Sequence, residues 1–362
     1  MQHPDITDTQ LYELERRLAD DIGQVARSLD VPPHIRDPED LRRAWRKTSA
    51  SHSTLRTLIK DILRDTSDQD KLPVARRRAL RDLKSNARAI RRQLLDWARV
   101  SHIIEHQHAP PDTDLVQVSE LIHGPQDVLD HVTALFMHAL HKIANPSEHT
   151  QSAGAEKDGL YRDIPLPMSQ FSSLIGAAYR LCLAQRKTHP LRFLDVGSGG
   201  GTKVLAATTC FDVCHGLEYE AHTFATGSQV LEGLGADRCT LFHGNAFEFE
   251  DYGNYDVIYY FRPMQSNPDM IALEARILAQ ARPGTFLCVP GEMATPNHDA
   301  AGARNVSGHV YATGMSEDEV DDLHFAARHI GKSVPGFFKT PPRVSPLLEP
   351  LLMACARNGY RI

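Results

Sequence analysis

The residues best placed to do chemistry lie in one stretch, Phe193-Leu194-Asp195-Val196-Gly197-Ser198-Gly199-Gly200-Gly201-Thr202-Lys203. An apolar run ends in an acid and passes into a glycine-rich turn that opens a predicted helix. Glycine tolerates positive φ and lets backbone amides approach a ligand, so such a turn can cradle a small polar molecule. Two common versions of the turn fail on spacing. A Walker A loop needs Gly-Lys-Ser/Thr at its end, but Lys203 follows Thr202 and precedes Val204. A dinucleotide fingerprint needs a third glycine or alanine where Thr202 stands. What remains is Asp-x-Gly-x-Gly-x-Gly over Asp195, Gly197, Gly199 and Gly201. The next apolar run, Val213 to Leu217, ends in Glu218, and a carboxylate there can accept both hydroxyls of a ribose.

Other reactive candidates are fewer. Arg262 follows a fourth apolar run and can pair with a substrate carboxylate or phosphate. Tyr259 and Tyr260 alternate across that strand, so one faces the covering helices and the other the site; ordinary packing is the competing account of both. Glu292 is a base or a solvated loop carboxylate, the latter preferred. Of 19 histidines, His102, His106, His108, His123, His131, His138, His141 and His149 crowd one segment. Asp127, His131, His138 and His141 fit one helix face, but no His-Glu-x-x-His and no cysteine partner accompanies them. No metal is therefore expected, and the segment is expected to be polar helix surface or a lid over a substrate pocket.

The glycine turn resembles motif I of the class I S-adenosylmethionine-dependent methyltransferases, and the downstream positions agree in order. By that resemblance Glu218 is the ribose ligand. His243-Gly244-Asn245-Ala246-Phe247 stands where the family often has Gly-Asp-Ala, whose acid accepts from the adenine amino group; the amide oxygen of Asn245 can accept the same bond. Tyr255 to Pro263 occupies the motif IV position. Arg282-Pro283-Gly284-Thr285-Phe286-Leu287 matches the turn before the fifth strand, with Thr285 in place of a glycine. The resemblance covers about residues 165–290. It implies S-adenosyl-L-methionine as cofactor, held by Asp195, Gly197, Ser198, Gly199, Gly201, Glu218, Asn245, Ala246 and Phe261. It also implies methyl transfer to an acceptor, a small molecule or protein ahead of nucleic acid. The family's Asn-Pro-Pro-Tyr/Phe signature of amino-group methylation is absent. Phe261-Arg262-Pro263-Met264 stands there instead, which argues against DNA adenine methylation. Such a reaction needs a general base only when the nucleophile arrives protonated, so no fixed catalytic residue is demanded. Arg262, Tyr260 and Glu292 stay as candidates.

These residues need a scaffold, and the pattern after residue 160 supplies one. A predicted helix over Ser169–Gln185 precedes apolar runs at Arg192–Val196, Val213–Leu217, Cys239–Phe242, Asp256–Phe261 and Thr285–Val289, with helical segments between. That alternation predicts an α/β fold, a doubly wound and mostly parallel sheet with ligands at the carboxyl ends of its strands. With the resemblance it becomes a Rossmann-like methyltransferase sheet. Helices over Glu317–Ile330 and Ser345–Arg357 and a strand at His309–Tyr311 are expected beyond it, but the family's closing hairpin has no clear counterpart.

The first 150 residues read as helices only, an all-α domain joined through a linker at Asn145–Gly159 to a domain of residues 160–362. Leu11, Leu14, Leu18, Ile22, Val25 and Leu29 make one apolar stripe. Leu41, Ala44 and Trp45 face inward on a second helix, and Leu55, Leu58, Ile59, Ile62 and Leu63 on a further segment. A long helix over 73–105 carries Leu80, Leu83, Ala87, Ile90, Leu94 and Trp97 as a seam, packed within the chain or across a dimer. A helix over Gln126–Ile143 completes the block.

Composition narrows the classes. The chain has 362 residues and a net charge of −6. That total hides an imbalance: residues 41–99 hold 17 basic and 6 acidic residues, a balance of +11. Arg76, Arg77, Arg78, Arg81, Lys84, Arg88, Arg91, Arg92 and Arg99 line the long helix. A solvated face is the preferred account, with docking to RNA or another polyanion as the alternative. A non-catalytic scaffold on the same fold is a third possibility. No apolar run is long enough to span a membrane. Six cysteines without a Cys-x-x-Cys pair, and no signal-like N-terminus, lead us to expect a reduced, cytoplasmic protein.

Overall fold

A computed structural model of the chain describes residues 8–64, 73–108, 112–116, 128–144, 166–332 and 345–360. It divides into two compact units. The first takes residues up to 111, 329–333 and 338–362; the second takes 112–328 and 334–337.

The first unit is helical: α1 (Asp8–Asp30), α2 (Pro38–Arg64), α3 (Val74–Gln93), α4 (Trp97–Glu105) and, from the far end of the chain, α11 (Glu349–Arg357). The α1 stripe is buried as its spacing predicts, with Leu14 at its margin. Two predicted segments fuse into the single helix α2. Its polar middle stays helical because Thr48, Ser51 and His52 are buried with partners. Ser51 Oγ donates to the Asp21 carboxylate at 2.6 Å, and Lys47 Nζ reaches the same group at 2.8 Å.

The predicted 73–105 helix is instead two. At Leu94–Asp96 the backbone tightens to i→i+3 bonds, Leu94 N to Arg91 O at 3.2 Å and Trp97 N to Leu94 O at 3.2 Å. The break lets Trp97 stack on His52 at 3.9 Å and on Trp45 at 5.1 Å between ring centroids. Helix α11 belongs here and not with the sheet. Buried Asn358 donates to Leu29 O at 2.9 Å and to Gln107 Oε1 at 3.1 Å, and Arg357 pairs with Asp30.

The second unit holds α5 (Val128–Ala144), α6 (Met168–Ala184), β1 (Arg192–Val196), α7 (Thr202–Ala207), β2 (Val213–Glu218), α8 (Ala221–Gly233), β3 (Cys239–His243), β4 (Val257–Tyr260), α9 (Asn267–Gln280), β5 (Phe286–Cys288), β6 (Ala303–Ser307), β7 (Val310–Thr313) and α10 (Glu317–Arg328). The seven strands run in the order β3-β2-β1-β4-β5-β7-β6. β1 to β5 pair in parallel, and β7 runs antiparallel to both β5 and β6. This is the doubly wound, mostly parallel, Rossmann-like sheet that the alternation predicts, closed by an antiparallel strand. The closing hairpin that periodicity could not locate is β6–β7, and its turn holds the positive-φ glycine Gly308.

Both sheet faces are covered. One packs Phe193, Val257, Tyr259, Phe286 and Cys288 against α6, α7 and α10; the other packs Leu194, Val196, Ile258 and Tyr260 against α9. Helix α5, expected in the N-terminal block, lies in the second unit against α6 and α8. Asp130 joins it to the start of α6, accepting from Ser169 N and Ser169 Oγ at 2.7 Å each. The division thus falls near residue 111 and again near 329, not at 150: the bonds of Asp130 to Ser169 tie α5 to the second unit, and the apolar face of α11 joins the helical core of the first. The expected linker at Asn145–Gly159, with Asp127, His123 and His149, lies outside the described residues.

Candidate active site

Parallel strands carry the ends of β1, β2, β3 and β4 to one edge of the sheet, and the sequence-predicted residues gather there. β1 ends at buried Asp195 and Val196. The chain then turns through Gly197, Gly199 and Gly201, with φ of 79°, 54° and 78°, values that favour glycine. Gly201 is the residue from which α7 starts. The amides of Gly197 and Ser198 both donate to Leu217 O, at 2.9 and 3.1 Å, which ties the turn to the end of β2.

Glu218 sits at that end and is held in place by backbone. Its Oε2 accepts from Gly199 N at 2.8 Å and its Oε1 from Glu220 N at 2.8 Å. A carboxylate has about four acceptor sites, so these two bonds do not by themselves exhaust it. A second acid, Glu220, caps α8 by accepting from Thr223 N at 2.7 Å.

Ser198 turns its side chain beneath the loop. A Cβ on Gly216 would lie 2.6 Å from Ser198 Oγ, so the glycine of β2 makes room for that hydroxyl. Ser198 is thus placed to shape the turn, with its amide rather than its hydroxyl on the loop's bonded side. Asn245 follows β3, and its Oδ1 accepts from Phe247 N at 2.9 Å, which fixes the amide in a turn while leaving a second lone pair. Ala246 is buried and its carbonyl takes the Tyr252 hydroxyl at 2.8 Å. The β3–β4 connection contains a short 3-10 turn, Tyr252–Asn254, and no α-helix. A groove of about 340 Å³ opens beside it, lined among others by Leu217, Gly244, Asn245, Phe249 and Tyr255.

The catalytic candidates fare differently. Tyr260 is fully buried and donates to Glu274 Oε1 at 3.2 Å. Burial, then the Glu274 charge, pushes its hydroxyl well above the usual tyrosine range. It is a packing residue, not one that reaches an acceptor. Glu274, which the sequence did not flag, also accepts from Ala294 N at 2.9 Å and Thr295 N at 2.7 Å, so it pins the loop that follows β5. Glu292 lies on that loop and is exposed, consistent with a solvated carboxylate.

Tyr259 packs on the opposite face among Phe171 and Phe193, level with Asp195 in the strand register. Burial and then the Asp195 charge raise its hydroxyl as well. Phe261 is half-buried against the same cluster. Arg262 is exposed, with no ion-pair partner among the described residues, and adopts φ 44°. Positive φ in a side-chain-bearing residue is strained, and here it directly precedes Pro263. Pro263 packs onto the glycine turn, its Cβ 3.0 Å from where a Cβ on Gly197 would be.

His141, read from the sequence only as one of a histidine group on a helix face, is the member that reaches the glycine turn. From α5 it places Nε2 3.0 Å from Gly200 O and Nδ1 2.6 Å from Met137 O. A Cβ on Gly200 would fall 2.0 Å from that ring nitrogen, so only glycine admits the contact. His131 and His138 point into solvent.

The chain matches no established family profile and no curated protein sequence. Among solved structures it is similar to an amino pentose methyltransferase from Micromonospora echinaspora determined with S-adenosylmethionine, at 20% identity over 36% of this chain and 58% of that one, TM-score 0.28. It is also similar to an S-adenosylmethionine-dependent methyltransferase from Geobacter sulfurreducens, at 19% identity over 42% and 54%, TM-score 0.28. A third is an RNA methyltransferase from Salinibacter ruber, at 18% identity over 41% and 91%, TM-score 0.30. The chain thus spans little more than half the length of the first two.

Proposed function

We propose that the chain is an S-adenosylmethionine-dependent methyltransferase. One observation carries this: the positive-φ glycine turn after β1 is bonded, through Gly199 N, to a carboxylate at the end of β2 in a sheet whose last strand is reversed. A mobile or solvated acid could not present a fixed pair of acceptors to vicinal hydroxyls; Glu218, held by two amides, can. The residues fit the cofactor in kind as well. Gly197, Gly199 and Gly201 leave the turn without side chains, and Asn245 and Ala246 stand after β3 where an adenine would be received.

The cofactor, when bound, supplies an activated methyl group on a sulfonium. The protein's part is then to hold the ribose at Glu218, keep water from the reacting centre and orient the acceptor. Arg262 supports an acceptor carrying a carboxylate or phosphate, since its exposed charge has no ion-pair partner among the described residues and stands just past β4. No side chain is assigned as base: Tyr260 is occupied by Glu274 and Glu292 is solvated. Six unpaired cysteines support a reducing, cytoplasmic setting, and no helix among the described residues is long and apolar enough to cross a membrane.

The test is transfer of a labelled methyl group from S-adenosylmethionine into fractions of a cell lysate. Labelling of an acceptor by the wild-type chain and not by Glu218→Ala supports the proposal. Cofactor binding without labelling of any fraction would favour a non-catalytic scaffold.

A further inference from the structure

Helix α3 carries a charge pattern that neither the sheet nor the glycine turn explains. At 100° per residue, Arg77, Arg81, Lys84, Arg88, Arg91 and Arg92 fall within a sector about 100° wide and about 22 Å long. The buried residues Leu83, Ala87 and Ile90 occupy a separate sector. Arg81, Arg88, Arg91 and Arg92 are exposed and Arg77 half-buried, and none of these five has an ion-pair partner among the described residues. The helix has one acid, Asp82, and it lies outside the stripe.

The neighbouring helix shows what a merely solvated basic face looks like. On α2, Arg42 pairs with Glu39 and Arg43 with Asp40 three residues away. On α3, spacings of three and four join like charges instead: Arg88 with Arg91, and Arg77 with Arg81 and Arg88 with Arg92. Like charges at these spacings destabilise a helix, so the stripe stores a repulsion that an external polyanion would relieve.

We infer that this face of α3 is a docking surface for a nucleic-acid duplex, bound through its phosphates. Guanidinium groups form paired, charge-assisted bonds with phosphate oxygens. A straight helix presents them as one rigid line. No aromatic residue occurs between Val74 and Gln93, so the surface has nothing on which to stack unpaired bases, and single strands are poorly served. A membrane is a poor partner too. An interfacial helix must insert its apolar face, and that of α3 is buried against the rest of its own unit. The inference is independent of the methyl-transfer proposal.

The test is fluorescence anisotropy of the full chain with a labelled duplex of about 30 base pairs, several times the length of the stripe, over a salt series. The expected result is a log-log salt slope of about −4.5, from five arginines each neutralising about one phosphate. Replacing all five (R77Q, R81Q, R88Q, R91Q, R92Q) weakens low-salt binding by about tenfold or more and brings the slope near zero; the five-fold lysine replacement keeps it. The single variants R88Q and R92Q, at exposed positions, each reduce the slope by about one. Absence of duplex binding at low salt, an unchanged slope in the glutamine variants, or tighter binding to single strands, poly-glutamate or phosphatidylserine vesicles would each overturn the inference.

Discussion

Glu218 is bonded to two backbone amides and so held fixed at the end of β2 beside the glycine turn. Its replacement by alanine is expected to weaken cofactor binding by about 2 kcal/mol, more than a neutral hydrogen bond would, because a charged acceptor is lost. Calorimetric titration of the variant checks this. Gly200→Ala would set a methyl group against His141 and is expected to lower stability by about 1–3 kcal/mol, seen as a fall in Tm. Arg262→Gly removes the strain of a positive φ, so stability is expected to stay level or rise by about 1 kcal/mol. Activity toward an anionic acceptor falls at the same time. The glycine turn and Glu218 were legible in the sequence because their spacing is local to one strand–turn–helix unit. Tyr260 and His141 were not. The partner of Tyr260 is 14 residues away on α9, and His141 meets a carbonyl 59 residues along the chain.

Buried polar clusters hold the elements in register, and they titrate. Asp256 lies just before β4, in the seam where β1 and β5 begin. Lys187 Nζ is 2.8 Å away, His189 Nε2 2.9 Å and Arg192 N 2.9 Å. Burial by itself would raise its carboxyl; the bonds from Lys187, the Arg192 amide and His189 outweigh that and hold it below the ordinary value. Its stabilisation is therefore present above the unfolded carboxylate range and lost as pH falls through the lower folded value. Asp256→Asn is expected to cost about 3 kcal/mol at neutral pH, read by denaturant titration.

His52 works at a higher pH. Burial against Trp97, and then Arg56, depress it to about 4. The unfolded chain takes up that proton first, near the ordinary histidine value. Stability then falls from about pH 6.5 down to about 4, by about 3 kcal/mol in all. His52→Phe should flatten that stretch of the pH–stability curve. The five parallel strands were read to within a residue or two, because buried parallel strands are short unbroken apolar runs; β6, on the antiparallel edge, was not. The break at Leu94–Asp96 was invisible, since the apolar seam continues across it while a stacked tryptophan dictates the tighter turn.

At the scale of the molecule, the described residues form one apolar cluster among helices and one on each face of the sheet. The class of each was plain from the change of periodicity near residue 160. Their membership was not, because α11 returns from the far end of the chain to the first unit, held by Asn358 and Arg357. Such a return leaves no local mark in a sequence. A ligand that binds only the folded sheet unit raises its stability by mass action, by about 2.7 kcal/mol at a hundredfold excess over Kd. The most direct measurement is isothermal titration of the folded chain with S-adenosylmethionine and S-adenosylhomocysteine. One molecule of either is expected to bind per chain, and Glu218→Ala to bind at least about tenfold more weakly while keeping its circular dichroism spectrum. A folded wild-type sample that takes up neither compound would contradict the account.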